Sequence, residues 1–220
     1  MSQRELFIIR HGQTLWNVEG RMQGRLDSPL SDEGKAQAAV HARVLEQLGG
    51  VDHILASPSG RTRETAAILN RRLQVPIDYE EVLMERDCGE WGGLTIDEIR
   101  DEQPEAWQAR ERDPYLHRPP GGENVPDLMD RVAPLLEEVD KVPEGRLAIV
   151  THGVMSRAIL TRYLQLTPVE SGRVRHPNDL FYRLRFTGSD LWPEFFRAGE
   201  GPIAGLLRRE PGETIQRPNS

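Results

Sequence analysis

Two apolar runs end alike: Phe7-Ile8-Ile9-Arg10-His11-Gly12 and Ala148-Ile149-Val150-Thr151-His152-Gly153. A buried strand gains nothing by ending on an imidazole, so the chemistry must lie outside the strand. In open α/β sheets ligands bind beyond the carboxyl ends of the strands, and two histidines at equivalent ends can converge on one ligand. The glycine after each lets the chain turn and lets a ligand approach the backbone. A single such histidine is as well explained by a hydrogen bond at a strand end; two at equivalent positions weaken that explanation. A third run, Leu55-Ala56-Ser57-Pro58-Ser59-Gly60-Arg61, places Arg61 in the first turn of a helix. Helix N-termini attract anions, and a guanidinium matches two phosphate oxygens at once. With Arg10 beside His11, two permanent cations surround two imidazoles. That combination suits a dianion such as a phosphate group.

The elements that position these residues follow from periodicity. Residues 5–10, 51–57 and 146–151 are short apolar runs with polar flanks, as expected of strands buried on both faces. Helical patterns separate them. Ser31 is a candidate N-cap before Val40, Val44, Leu45 and Leu48; Ser59 opens a helix carrying Ala66, Ile68, Leu69 and Leu73. Val125, Leu128, Met129, Val132, Leu135, Leu136 and Val139 form a 3.6-residue stripe, with Pro134 expected to kink it. This alternation predicts a doubly wound, mostly parallel α/β sheet with helices on both faces. The run 180–186 alternates instead, which predicts a strand near an edge, antiparallel to its neighbour. Its Leu180, Tyr182, Leu184 and Phe186 could serve a homodimer interface as well as a core. Residues 86–122, rich in charge, Trp, Pro and Gly, break the rhythm and predict a small lid over the carboxyl edge. The last ten residues, 211–220, read as an extended tail, and the whole of 1–220 as one domain.

Composition bounds the partners. The chain has 220 residues, a formal net charge of −7, 37% hydrophobic and 29% charged residues, ordinary for a globular fold. An acidic surface repels a nucleic-acid backbone. No run approaches a membrane span or a secretory leader, so a cytoplasmic protein with no membrane partner is the simplest reading. Cys88 is the single cysteine, which excludes an internal disulfide and a Cys-based metal site.

Arg10-His11-Gly12, Asn17, Gln23-Gly24, Ser57 with Arg61 and Thr65, Glu85 with Gly89, and Thr151-His152-Gly153 together resemble the histidine phosphatase superfamily, the phosphoglycerate mutase-like family. The likeness covers residues 5 to 186. It implies that His11 attacks phosphorus and becomes a phosphohistidine, splitting one displacement into two. The attack requires a neutral ring, with a backbone carbonyl holding Nδ1–H and Nε2 free. The same resemblance implies that Arg10, Arg61 and His152 stabilise the phosphoryl oxygens, His152 best as a cation, and that Glu85 is the acid at the leaving oxygen. Asn17, Gln23, Gly24 and Gly153 would line the phosphoryl group or the substrate body. No cofactor and no metal are implied, since the cations stand where Mg²⁺ would.

Relatives divide into phosphatases and cofactor-dependent mutases. The mutases usually carry a tyrosine where Cys88 stands, a lysine where Ile96 stands, and an adjacent arginine pair. Residues 97–122 contain Arg100, Arg110, Arg112 and Arg118 but no such pair to hold a second phosphate or a carboxylate. The expectation is a metal-independent phosphomonoesterase acting on a small phosphorylated metabolite. The alternatives are a phosphoglycerate mutase and a non-catalytic phospholigand-binding module. His41, His53, His117 and His176 match no motif position.

Overall fold

The computed structural model describes residues 4–142, 144–188 and 190–210; the expected tail at 211–220 lies outside them. Among the described residues, seven strands form one sheet: β1 (Arg4–Arg10), β2 (His53–Ala56), β3 (Ile77–Tyr79), β4 (Gly145–Thr151), β5 (Leu180–Thr187), β6 (Asp190–Arg197) and β7 (Glu200–Ala204). Their order is β3-β2-β4-β1-β5-β6-β7. The β3-β2-β4-β1 half is parallel, and β5, β6 and β7 extend it antiparallel. The helices are α1 (Leu15–Glu19), α2 (Asp32–Gln47), α3 (Gly60–Leu73), α4 (Ile96–Glu102), α5 (Pro104–Arg112), α6 (Val125–Asp140), α7 (Gly153–Leu164) and α8 (Pro168–Arg173).

Strand β1 lies between β4 and β5, so both of its edges are paired, and helices cover both of its faces, which is why its central Leu6–Ile9 are apolar and buried. Leu6 and Ile8 point to one core with Ile149, Leu128, Val132, Leu136 and Ile159 from α6 and α7. Phe7 and Ile9 point to the other, with Val150, Ala42, Leu45, Ala66 and Leu69 from α2 and α3. The period-2 alternation of one strand thus supplies both layers. Ser31 caps α2 through the Gly34 amide at 3.1 Å, as its position predicts. Helix α6 runs on through Pro134.

The strand at 180–187 departs from expectation. It pairs antiparallel with β1 but lies inside the sheet, because β6 and β7 continue beyond it. Leu180, Tyr182 and Leu184 are fully buried in the core and offer no free interface. Within 86–122, Trp91 and Trp107 anchor a small core of their own with Met22, Cys88, Ile96 and Ile99. Their indole N–H groups donate to Gln103 and Glu111 at 2.8 Å, so these rings are packing rather than a cover for ligand. None of the described helices is long and apolar enough to cross a membrane.

Candidate active site

The carboxyl ends of β2, β4 and β1 are neighbours, and this alone brings three motif segments together. The ladders run to the last residue: His11 N–H donates to Thr151 O, and Ser57 N–H to Val150 O, both at 2.9 Å. Beyond them lies a cavity of about 170 Å³ lined by Arg10, His11, Gln23, Arg61, Glu85 and Gly153, among others. That is many times the space one water requires.

His11 is 3% exposed. Its Nδ1 is 2.8 Å from the Gly12 carbonyl, which can only accept, so Nδ1 carries the proton and Nε2 keeps its lone pair. Burial first, then the Arg61 and Arg10 guanidinium groups, hold its pKa well below 6.5. The neutral tautomer expected from the sequence is therefore built into the site. The backbone around it is close-packed: a Cβ on Gly12 would stand 2.2 Å from Gly34 O, and Gly12 N–H donates to Thr65 Oγ1 at 3.2 Å.

Arg61 is 1% exposed and is held from several sides. Its Nη1 donates to Leu26 O at 2.7 Å and Asp27 Oδ1 at 2.9 Å, its Nη2 to Gly24 O at 2.8 Å, and its Nε to His152 Nδ1 at 3.2 Å. Gly24 takes a positive φ of 53° to present that carbonyl, and a Cβ there would stand 2.9 Å from Cys88 N. Asp27 also accepts the Arg61 amide at 3.4 Å, capping α3 where Ser59 makes no side-chain cap.

His152 corrects the sequence expectation. A permanent donor, Arg61 Nε, faces its Nδ1, so that nitrogen must accept, and Nε2–H donates to Ser57 Oγ at 2.8 Å. Burial and then Arg61 push its pKa well below 6.5. The ring is neutral, not the expected cation, and stands edge-on to His11 with centroids 5.3 Å apart.

Arg10 donates from Nη1 to the His176 carbonyl at 2.7 Å, while its buried Nε has no hydrogen-bond partner among the described residues. A buried guanidinium N–H left unpaired costs about 1–3 kcal/mol or more. Gln23 Oε1 is likewise buried without a partner, and Gly153 lies against the Arg10 guanidinium. Asn17 lines the same cavity from α1, where its Oδ1 accepts Thr14 N–H in a capping box.

Glu85 faces the N-terminus of α7. Oε2 accepts Val154 N–H at 3.1 Å; Oε1 accepts Met155 N–H at 3.1 Å and Arg86 N–H at 2.8 Å. A carboxylate thus satisfies the helix's orphan donors in place of His152, which makes no side-chain cap. Its loop is clamped by Arg131 of α6, whose Nη1 and Nη2 donate to the carbonyls of Val82, Met84 and Glu85 between 2.9 and 3.3 Å.

Of the nine site residues selected from the sequence, eight line one cavity; His152 does not line it and meets it through Arg61. Several were missed. His176, which matched no motif, is fully buried between Ser156 Oγ and Leu180 O, and its carbonyl aims Arg10. Asp27 and Arg131 are ordinary surface-type residues in sequence and gave no signal. Arg86, Arg110, Arg157, Arg175 and Arg209 also reach the cavity. Of these only Arg157 was findable, since it follows Gly153 and Val154 on one face of α7 at helical spacing.

The sequence profile described as Histidine phosphatase superfamily (branch 1) matches residues 6–196. A protein of Escherichia coli O1:K1 named probable phosphoglycerate mutase GpmB is 34% identical over 190 residues, 86% of this chain and 87% of its own. Among solved structures, a mycobacterial glucosyl-3-phosphoglycerate phosphatase complexed with VO3 is 32% identical, with a TM-score of 0.75 over 82% of this chain and 90% of its own. YhfR of Bacillus stearothermophilus is 32% identical with a TM-score of 0.77, covering 91% of this chain and 98% of its own.

Proposed function

The chain belongs to the histidine phosphatase superfamily, and from that premise we propose that it hydrolyses a small phosphomonoester through a phosphohistidine on His11. The observation that carries the reading is the His11 tautomer: Nδ1–H is fixed on Gly12 O, and the Nε2 lone pair faces a cavity that holds the Arg10 and Arg61 guanidinium groups.

In the first step the His11 Nε2 lone pair forms an N–P bond while the P–O bond to the leaving group breaks. The oxygen leaves with the proton of a protonated Glu85, since an alkoxide is a poor leaving group at neutral pH. Negative charge spread over the three equatorial oxygens is met by the free Arg10 Nε–H and by Arg61. His152 acts through Arg61, orienting it by accepting Nε–H. In the second step water attacks phosphorus and gives its proton to the Glu85 carboxylate. The N–P bond breaks, and phosphate, neutral His11 and protonated Glu85 result.

Hydrolysis is preferred to the mutase reading because Cys88 and Ile96 stand where mutases of this family carry Tyr and Lys. The relative named probable phosphoglycerate mutase keeps the second reading in view. One experiment addresses both: acid-quenched and alkali-quenched turnover with a ³²P-labelled monoester, followed by peptide mapping. Label on His11 that survives alkali and is lost in acid is expected, with inorganic phosphate as the product. Acid-stable label, or none, overturns the mechanism; transfer to phosphoglycerate in preference to water selects the mutase.

A further inference from the structure

The His11–Gly12 peptide is held at both ends by side chains from distant elements. Asn178 Nδ2–H donates to the His11 carbonyl at 2.8 Å, and Gly12 N–H donates to Thr65 Oγ1 at 3.2 Å. A carbonyl only accepts, so it is the amide nitrogen of Asn178 that faces His11. Thr65 spends its one hydroxyl proton on Arg61 O at 2.8 Å, which leaves a lone pair for Gly12. Both side chains are buried, Asn178 at 5% exposure and Thr65 at 0%.

These bonds stand where the sheet ends. β4 follows β1 as far as Arg10, opposite Thr151, and also takes His11 N–H on Thr151 O. β5 follows β1 only as far as Ile9, opposite Phe181. A buried carbonyl beyond the last ladder pair still needs a donor, and the Asn178 side chain supplies it. The same short segment takes Arg10 through the His176 carbonyl. It is anchored in turn: Asn178 O accepts His41 Nε2–H at 3.2 Å, Pro177 O accepts Leu180 N–H at 3.2 Å, and Asp179 O accepts Ala198 N–H at 2.8 Å.

The consequence falls on the imidazole. A peptide unit is planar, so holding its carbonyl and its N–H fixes the plane. Gly12 Cα lies in that plane and carries the carbonyl that accepts His11 Nδ1–H at 2.8 Å. Tilting the plane would move this acceptor, and the ring would lose both its tautomer and its direction. Neither Asn178 nor Thr65 lines the cavity, so what they contribute passes through the backbone they hold.

We propose that Asn178 and Thr65 are paired positioning residues: by clamping the two ends of the His11–Gly12 peptide they hold the His11 ring as its Nδ1–H tautomer, with Nε2 aimed into the cavity. The role of Nε2 as nucleophile rests on the phosphatase reading; the control of the ring does not.

Two measurements that need no turnover test this in the full chain. One is the ratio of vanadate to inorganic phosphate affinity by calorimetry, because vanadate gains an in-line bond to Nε2 and tetrahedral phosphate gains none. The other is the ¹⁵N spectrum of the histidine rings, in which the two tautomers differ, with His11→Asn for assignment. Asn178→Leu and Thr65→Val each remove one bond at similar volume. Both are expected to cut the ratio about tenfold or more, the scale of a misplaced reacting atom, while phosphate affinity stays within about threefold. Both should also populate the Nε2–H tautomer of His11, whereas Thr65→Ser should keep the wild-type ratio and tautomer. Because each ratio is taken within one variant, loss of folded protein cancels. An unchanged ratio or tautomer in either variant, or equal losses for the two anions, overturns the pair. If the wild type binds vanadate no more tightly than phosphate, the nucleophile reading falls, and the tautomer alone then decides the positioning.

Discussion

Arg61 donates its Nε–H to His152 Nδ1 across 3.2 Å while its two other nitrogens are held by Gly24 O, Leu26 O and Asp27. One side chain therefore sets the tautomer of a histidine and is in turn locked by it. A lysine would keep the charge but could not span these partners, since an ammonium has no planar fork. Arg61→Lys is expected to lower kcat by about 10²–10³-fold, the scale of losing one preorganised transition-state donor. Steady-state rates measure it, and a loss below threefold would mean that charge alone suffices there.

The neutral state of His11 has a direct spectroscopic consequence. Burial, Arg61 and Arg10 hold its pKa well below 6.5. In the ligand-free enzyme the His11 Cε1–H resonance should show no protonation step as pH falls from 8 to about 5.5, whereas an unperturbed histidine titrates near 6.5. NMR with His11→Asn for assignment reads this. A step centred near 6.5 would remove the argument that the nucleophile is ready across the neutral range.

What could be read before folding was whatever depends on neighbours in sequence. Strands β1, β2 and β4 were legible because burial on both faces demands an unbroken apolar run. Arg10, His11, Arg61 and His152 were legible because each follows such a run. Strand β6 was not: Pro193 interrupts its run, and only its pairing with all of β5 makes it a strand. The same pairing moved β5 from the predicted edge to the interior. His152 was misjudged because a histidine beside a phosphate site invites a positive charge, and nothing in sequence reveals that Arg61 Nε would face its Nδ1. Arg86 and Arg110, which also line the cavity, were invisible for a related reason: each is unremarkable in its own segment.

Glu85 accepts three backbone N–H bonds and lies at the helix end nearest the leaving group. If it protonates the leaving oxygen, its removal should matter in proportion to how much that oxygen needs a proton. Glu85→Gln is expected to slow hydrolysis of alkyl phosphates by about 10²–10⁴-fold, and that of p-nitrophenyl phosphate far less in the phosphorylation step. Burst-phase kinetics separate that step from hydrolysis of the phosphohistidine. Equal losses for both leaving groups would assign Glu85 to helix capping and site shape, because the glutamine amide also places an N–H₂ against one of the backbone donors.

The histidines kept neutral inside the fold also set its acid stability. His41 is 2% exposed, with Nε2 on Asn178 O at 3.2 Å and its ring edge-on to Phe181. Burial lowers its pKa from 6.5 to about 4. Between those values the unfolded chain binds a proton that the folded chain does not, so stability rises with pH in this window. Read downward, the contribution is intact above 6.5, is lost as pH falls toward 4, and amounts to roughly 3 kcal/mol at 1.36 kcal/mol per unit. His11, His152 and His176 shift in the same direction and add to the slope. Urea unfolding of the wild type should therefore weaken steeply from pH 7 to 4.5. His41→Gln keeps a donor for Asn178 O but cannot titrate, so its unfolding free energy should fall less over the same range. Parallel pH dependences for the two proteins would show that His41 takes up its proton without unfolding cost, and the acid sensitivity would then belong to the histidines of the site.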